Sequence, residues 1–377
     1  MDTKLCWIWL SLALKENSGR FVDLWDYFKD VQSIYNADEK TLTQSCELSD
    51  KELSALSNKS LKKAQDIVRY CESNAIGIVC FGDSKYPNRL KNIYAPPIVF
   101  FYRGILPDID SNLLITLVGS RKYSAYGQKM TEKLSYDLTR AGAIVVSGMA
   151  LGIDTAANMG ALKAGGKTIA VLGCGVDVCY PKTNEQLMQR IVENGAVISE
   201  FPPQTPPNGA NFPIRNRIMS ALSVGVVVCE APIKSGALIT VNHALDQGRD
   251  TFAIPGNIDS LYSEGANELI KRGEAKLITN AGDILEEYRE FFADKIDAQI
   301  AQDETASEFN VKENLKNPPG LSKNEELVFN VLKKGQKHID EIALETGIEM
   351  AQLNAALSML ELNSYIEGLS NKYYRLP

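Results

Sequence analysis

Short apolar runs that alternate with helix-like stretches between residues 113 and 278 constrain the fold more than any other feature of this chain. The runs cover residues 113–120, 143–148, 168–173, 195–200, 224–230, 251–256 and 275–278. Continuous apolar runs of this length are expected for strands buried on both faces of a parallel sheet. The helix-like stretches between them include residues 126–141, 153–164, 184–194, 236–248 and 265–273. The alternation predicts an α/β fold, a doubly wound, mostly parallel Rossmann-like sheet.

Segments of different character flank this region. Residues 1–105 predict a small helical domain that ends in short strands at 75–83 and 97–104. The polar stretch 292–320 lacks sustained periodicity and ends in Pro-Pro-Gly, which is typical of a linker. Residues 321–377 predict three helices and a terminal hairpin, the pattern of a winged helix. The predicted domains are therefore 1–105, 106–291 and 321–377, with the linker at 292–320.

Charge and cysteine content narrow the class of protein. The formal net charge of −7 argues against a surface that coats nucleic acid, but residues 113–285 carry 16 Lys/Arg against 15 Asp/Glu, a net of +1. A local basic pocket is therefore compatible with the sequence. Seven cysteines without a C-x-x-C pair and only two histidines are typical of a cytoplasmic protein with reduced thiols, and they predict no metal site. No apolar run is long enough to predict a membrane span.

The loop after the first strand of the α/β region, "VGSRKYSAYG" (118–127), combines features of an anion site. Ligands of open α/β sheets bind beyond the carboxyl ends of the strands. Gly119 and Ser120 would permit close approach of a ligand, and Arg121 would supply a cation. Ser124 is predicted to cap the next helix, whose N-terminus would present free N–H groups to an anion. A tight turn with a surface arginine is the alternative.

Three later segments place more candidates at the same edge. Lys182 precedes a helix start and suits a phosphate, although a solvated lysine is the alternative. Ser235 and Gly236 open another helix. The segment "NFPIRNR" (211–217) is the most unusual, because no Asp or Glu occurs from Phe201 to Cys229. Its candidate residues are Asn211, Phe212, Arg215, Asn216 and Arg217. Arginine forks match phosphate oxygens and an aromatic ring can stack on a base, but ion pairs with Glu200 or Glu230 are the alternative.

Enzymatic signatures are weak in this sequence. No G-x-G-x-x-G follows the first strand of the α/β region, and neither a phosphate-binding P-loop nor a G-x-S-x-G elbow occurs. We therefore expect a protein that is not an enzyme and needs no cofactor. The strongest alternative is a nucleotide or nucleoside hydrolase that uses Glu200 or Glu230 as acid and base. A scaffold that binds only proteins is a third possibility.

The sequence resembles the bacterial DNA-processing protein A family (DprA, also called Smf). The resemblance runs in order through 113–273, in "VGSRKYSAYG", "SGMALGID", "LGCGVDVCYP", "SEFPPQTPP", "FPIRNRIMSALS", "VCEAPIKSGALIT", "ALDQGRDTFAIPG" and "GANELI". The front segment and the tail look like that family's SAM-like and winged-helix modules. The resemblance implies an extended Rossmann domain that binds single-stranded DNA in a basic pocket, forms homodimers and loads the recombinase RecA onto incoming DNA during natural transformation.

The resemblance also assigns residues. The family's DNA-contacting arginine falls on Arg121 and its lysine on Lys182, while Phe212, Arg215 and Arg217 match the F-P-x-R-N-R segment. A single-strand-binding protein and a competence regulator are further candidate partners. The tail differs from winged helices that bind DNA, because its recognition helix, 350–363, contains no Lys or Arg. We therefore expect the tail to contact protein or to stabilise the chain rather than to read DNA.

Overall fold

The structure is a computed structural model that describes residues 2–14, 19–296, 318, 321–333, 335, 337–363, 365–368 and 372–376. The chain divides into two compact units, Met1–Gln302 and Asp303–Pro377. Most of the predicted linker, 292–320, lies outside the described residues. None of the described helices combines the length and the apolar composition that crossing a membrane would require.

The front of the first unit is helical, as predicted. Its helices are α1 (Thr3–Leu14), α2 (Arg20–Phe28), α3 (Val31–Asn36), α4 (Glu39–Ser45), α5 (Asp50–Ser57) and α6 (Lys62–Ser73). The side chains of Asp30, Asp38 and Ser49 accept hydrogen bonds from the first turns of α3, α4 and α5, so each helix begins where its cap stands.

An aromatic cluster joins these helices to the first strand of the sheet. The rings of Trp7 and Trp25 lie 5.4 Å apart, and Phe21 packs edge-on to Trp7 at 6.1 Å. Phe81, which follows the first strand directly, contacts all three rings at 4.9–6.1 Å. Burial of such large rings and their favourable edge contacts stabilise the joint between helices and sheet.

One nine-stranded sheet forms the centre of the first unit. Its strands are β1 (Gly77–Cys80), β2 (Val99–Gly104), β3 (Leu114–Gly119), β4 (Ile144–Ser147), β5 (Thr168–Val171), β6 (Ala196–Ser199), β7 (Gly225–Glu230), β8 (Asp250–Ala253) and β9 (Lys276–Leu277). The spatial order is β1-β2-β6-β5-β4-β3-β7-β8-β9, and the strands from β6 to β9 in this order pair in parallel. The predicted doubly wound, mostly parallel sheet is confirmed.

The apolar runs face two cores, one on each side of the sheet. Leu114 and Val118 of β3 pack in one core, whereas Ile115 and Leu117 pack in the other. Helices cover both faces: α7 (Asn88–Lys91), α8 (Ala125–Arg140), α9 (Ile153–Lys163), α10 (Glu185–Asn194), α11 (Asn211–Leu222), α12 (Ala237–Asp246), α13 (Glu264–Lys271) and α14 (Gly282–Tyr288). The chain builds outward from β3 to β6 and then returns to β7 beside β3. The strand order therefore reverses at β3 and β7, where open sheets of this kind form their crevice.

The sheet begins earlier in the sequence than the predicted domain limit. Strands β1 and β2 were assigned to the front segment, but β2 pairs antiparallel with β6, with Phe101 opposite Ser199, and β1 pairs with β2. An uncovered β6 edge would leave a row of unpaired backbone groups, which β2 satisfies. The sheet thus includes residues from Gly77 onward, and the limit at residue 105 stays a prediction.

The second unit is a winged helix, as predicted. Helices α15 (Lys323–Leu332), α16 (Ile339–Thr346) and α17 (Met350–Leu362) pack on a sheet of β10 (Lys337–His338), β11 (Glu367–Gly368) and β12 (Tyr373–Arg375). The strand order is β10-β12-β11, so the sheet has one strand more than the predicted hairpin. Ser322 and Glu325 form a capping box that starts α15.

Candidate nucleic-acid interface

Phe212 lies at the centre of the predicted site. The Arg121 guanidinium lies over its ring at 5.3 Å, and the Tyr180 ring packs against it at 5.5 Å. Asn211, beside it, donates a hydrogen bond from Nδ2 to the carbonyl of Gly173 at 3.1 Å, which holds the start of α11 against the loop after β5. The structure therefore brings together residues from the loops after β3 and β5 and from α11.

Two of the predicted cations face solvent. The side chains of Arg121 and Lys182 are exposed, and neither forms an ion pair or a side-chain hydrogen bond within the part of the chain that the structure describes. Lys182 begins the short turn Lys182–Asn184 and follows Tyr180 by two residues. The Tyr180–Pro181 peptide bond is cis. An exposed cation without a carboxylate partner is available to an external anion.

Arg215, in contrast to Arg121 and Lys182, is buried and donates hydrogen bonds to backbone carbonyls. Its Nη1 donates to the carbonyls of Gly148 and Val171, and its Nε donates to Oδ1 of Asn216 at 3.1 Å. Burial lowers the pKa of Arg215, and the charge of buried Asp154 opposes that change. With its guanidinium 6.0 Å from the Phe212 ring, Arg215 supports the ring from below the surface. This differs from the expectation that it lines an open pocket for phosphates.

Arg217 forms the internal ion pair that was the alternative interpretation. Its Nη1 and Nη2 donate to Oε1 and Oε2 of Glu200 at 2.8 and 2.7 Å, and both side chains are 4% exposed. Helix α11 begins at Asn211, two residues before Pro213, so Arg217 falls within the helix and under the surface. The expectation that Arg217 binds an external anion is replaced by this two-bond pair, a geometry that arginine and carboxylate share.

Glu230 occupies the helix N-terminus that was expected to be free. Ser124 caps α8, as predicted, by accepting from the N–H of Gly127 at 3.0 Å. Ser124 also donates to Glu230 through its hydroxyl at 2.6 Å and its N–H at 2.8 Å. A Cβ on Gly127 would lie 2.2 Å from Glu230 Oε2. The carboxylate of Glu230 thus serves as the anion at this helix start and fixes the loop that carries Arg121.

The small residues of the site pack against protein atoms. A Cβ on Gly119 would lie 2.6 Å from Ile153 and 2.7 Å from the carbonyl of Glu230, so this glycine serves the packing of loop and helix. Ser120 is 9% exposed and accepts from the N–H of Lys122 at 3.1 Å. These contacts set the shape of the turn that carries Arg121, rather than the ligand approach expected from the sequence.

The start of α12 is tied to α11. Asn216 donates from Nδ2 to the carbonyl of Gly236 at 3.3 Å, and the hydroxyl of Ser235 accepts from the N–H of Ala237 at 3.2 Å. Gly236 itself is exposed, and a Cβ placed there would meet open space. Asn216 therefore links Arg215 to the loop after β7.

The geometry gives the hydrolase alternative no support. Glu200 and Glu230 are both buried, and each is engaged by the partner already described, Arg217 or Ser124. A general base must reach the proton that it removes. Neither carboxylate faces the solvent at the edge where a nucleotide would lie.

Sequence reasoning missed a connection between the front helices and this edge. Tyr70 of α6 donates to Oδ2 of Asp177 at 2.9 Å, and Oδ1 of Asp177 accepts from the N–H of Gln204 at 2.8 Å. Asp177 lies in the loop that leads to Tyr180 and Lys182, and the hydrogen bond that it accepts raises the pKa of Tyr70. The two residues are 107 positions apart, so no local pattern signals the contact.

Removing the Tyr70 hydroxyl is expected to weaken this connection. We predict that Tyr70→Phe lowers the free energy of unfolding by about 1–2 kcal/mol, because a hydrogen bond to a charged acceptor is lost. Urea unfolding followed by circular dichroism measures the change. Tyr27→Phe is the matched control, since Tyr27 is 54% exposed in the same helices. Equal midpoints for Tyr70→Phe and the unchanged protein would show that the bond adds nothing.

His243 of α12 predicts a pH dependence of stability. Burial lowers the pKa of His243, and the charge of Arg217 lowers it further. Since the folded pKa lies below the unfolded value of about 6.5, this group's contribution is present above that pH and is lost as the pH falls through the lowered value. We expect His243→Gln to give a shallower loss of stability below about pH 6.5, measured by urea unfolding at several pH values. Parallel losses in both proteins would contradict this expectation.

The fold and its carboxyl edge together define a Rossmann-like α/β protein with exposed cations and aromatic rings at the strand ends and a winged-helix tail. Residues 77–289 match the model of the family described as DNA recombination-mediator protein A, and residues 313–372 match that of the DprA winged helix domain. The chain belongs to this DprA/Smf family, a family of DNA processing and recombination. The resemblance noted in the sequence is confirmed.

Relatives and solved structures agree with this assignment. DNA processing protein DprA of Streptococcus pneumoniae is 47% identical over 206 residues, which cover 55% of this chain and 72% of the relative. Protein Smf of Synechocystis is 35% identical over 298 residues, which cover 74% and 75%. The X-ray structure of the S. pneumoniae protein superposes with a TM-score of 0.65 at 36% identity, over 74% of this chain and 96% of that one. A structure of DprA from Helicobacter pylori, described as giving insight into the single-stranded DNA binding mode of that protein, superposes with a TM-score of 0.52 at 29% identity. The match covers 57% of this chain and 96% of that one.

Proposed function

We propose that this protein binds single-stranded DNA at the carboxyl edge of its sheet and acts as a recombination mediator. The observation that carries the proposal is the exposed Arg121 guanidinium on the Phe212 ring, with Tyr180 on the same ring and exposed Lys182 two residues further on. Cations that follow a backbone and rings that accept bases are the two parts of a single-strand site. The single-strand binding reported for the H. pylori relative supports the same proposal.

The proposed contacts divide into two groups. Arg121 and Lys182 contact phosphates, and Phe212 contacts a base. The buried residues of the edge, Arg215 and Asn216 among them, hold those side chains in place through the backbone contacts described above. Such phosphate-dominated binding is expected to show little sequence preference and a strong dependence on salt.

The resemblance to the family supports a proposal for the finer role. We propose that the protein works as a homodimer that loads RecA onto incoming single-stranded DNA during natural transformation, and that it does so without catalysis of its own. The winged-helix tail is proposed to contact protein rather than DNA, since α17 contains no Lys or Arg.

Fluorescence-anisotropy titration with a labelled oligothymidylate tests DNA binding. We expect tight binding at low salt that weakens with a slope of log affinity against log salt of about −1.4 or steeper, since each phosphate contact contributes about −0.7 on a single strand. A duplex of the same length should bind more weakly. Absence of single-strand binding at low salt would reject the proposal, and turnover of nucleotides by the pure protein would favour the hydrolase.

RecA loading is tested separately. On single-stranded DNA already covered by a single-strand-binding protein, addition of this protein is expected to accelerate RecA-dependent strand exchange. Unchanged exchange, with DNA binding intact, would reject the loading role and leave the binding function standing.

A further inference from the structure

The loop before α8 and the first turn of that helix expose a second group of rings and cations. Tyr123 and Tyr126 are 40% and 46% exposed, and Lys122 and Lys129 are exposed beside them. No Asp or Glu occurs from Ser120 to Thr131. Within the described residues neither lysine forms an ion pair. Aromatic rings interleaved with unpaired cations are the composition of a single-strand track.

This surface lies on the opposite side of Arg121 from Phe212. Tyr180 and Phe212 stand over β5, where Asn211 bonds to Gly173, and β5 is two strands from β3 in one direction. The Tyr126 hydroxyl donates to the carbonyl of Pro255 at 2.9 Å, just after β8, which is two strands from β3 in the other direction. Four strand spacings amount to about 19 Å. Arg121, on the loop after β3, is therefore flanked by aromatic groups on both sides.

The second surface is held in place before any ligand arrives. The bond from Tyr126 to Pro255 fixes one ring, and the two bonds from Ser124 to Glu230 fix the loop between the tyrosines. A ring whose rotamer is already set loses little conformational entropy when a base stacks on it. The exposed Tyr126 ring is thus suited to bind a base.

We propose that Tyr123, Tyr126, Lys122 and Lys129 form a second nucleotide subsite, which takes the unstacked bases and phosphates of the same DNA strand after it passes Arg121. This inference rests on the proposed single-strand binding. The occupant is nucleic acid rather than protein, because the charged side chains among the four residues are both lysines and because they continue the cationic strip of Arg121. The strand is then bound over the carboxyl ends of β5 to β8, across the point where the strand order reverses.

Oligothymidylates of two lengths separate this subsite from the Phe212 site. We expect Tyr123→Ala/Tyr126→Ala to bind an oligomer of about 16 nucleotides about 10- to 100-fold more weakly than the unchanged protein, since stacking on each ring is lost. Binding of an oligomer of about 3 nucleotides, which at about 3.4 Å per nucleotide is too short to span the two sites, should be unchanged. Tyr123→Phe/Tyr126→Phe keeps both rings but removes the bond from Tyr126 to Pro255, so it should bind the longer oligomer more tightly than Tyr123→Ala/Tyr126→Ala does.

The cations give an independent readout. Lys122→Ala/Lys129→Ala should reduce the salt slope for the longer oligomer by about 1.4, whereas the tyrosine variants should leave the slope unchanged. The subsite would be overturned if Tyr123→Ala/Tyr126→Ala bound the longer oligomer as tightly as the unchanged protein does. It would also be overturned if this variant lost the same affinity for the short and the long oligomer. Absence of binding by the unchanged protein itself would instead reject the proposed function on which the subsite depends.

Discussion

Glu200→Gln is expected to lower the free energy of unfolding by about 3–5 kcal/mol, the largest stability change that we predict. The substitution would leave the Arg217 guanidinium buried at 4% exposure without its carboxylate. Removing one partner of a buried pair is costly because the remaining charge has lost both its solvent and its counter-charge. Urea unfolding followed by circular dichroism measures the change.

Two comparisons make this result specific to the buried pair. Glu200→Met with Arg217→Met should cost much less than Glu200→Gln, because an apolar replacement leaves no charge behind. Glu268→Gln removes the partner of Arg272 in an exposed pair, and it should cost less than about 1 kcal/mol. If Glu200→Gln cost no more than Glu268→Gln, the pair would not be the stabilising element that its burial indicates.

Arg121→Ala/Lys182→Ala is expected to reduce the affinity for a labelled oligothymidylate about 100-fold at low salt. Each cation would give up a phosphate contact of about 1.4 kcal/mol, and the two losses sum to about 2.8 kcal/mol. The salt slope should fall by about 1.4 at the same time. Anisotropy titrations at several salt concentrations measure both quantities.

A matched variant separates local contact from overall charge. Lys62→Ala/Lys63→Ala removes two exposed lysines from the start of α6, so it changes the net charge by the same amount. We expect it to bind the oligomer as the unchanged protein does. Equal weakening in both double variants would show that binding responds to net charge and not to the Arg121 and Lys182 positions.

The sequence predicts the fold well because its signals are local. Continuous apolar runs indicate strands that are buried on both faces, and a capping residue such as Ser124 indicates where a helix begins. The order in which the strands lie, by contrast, depends on contacts between distant residues. The pairing of β2 with β6 is one such contact, and residues 97–104 carry no mark that distinguishes it from a strand of the front domain.

The sequence predicted which loops meet at the carboxyl edge, but not the contacts that each arginine makes there. Parallel strands place their carboxyl ends at one edge, so the loops after β3 and β5 and the start of α11 were expected to meet. The acid-free stretch from Phe201 to Cys229 suggested free arginines, yet the partner of Arg217 is Glu200, just before that stretch begins. Likewise Glu230 reaches Ser124 across 106 positions. Burial decides these roles, and burial is a property of the folded chain.

The aromatic joint between the front helices and β1 has a spectroscopic consequence. All three tryptophans of the chain, Trp7, Trp9 and Trp25, lie in α1 and α2. Intrinsic tryptophan emission therefore originates entirely in the front helices, while far-ultraviolet circular dichroism averages over the whole backbone. Phe81 connects Trp7 and Trp25 to the sheet. Tryptophan emission therefore reports, without any added label, whether the front helices remain packed against the sheet.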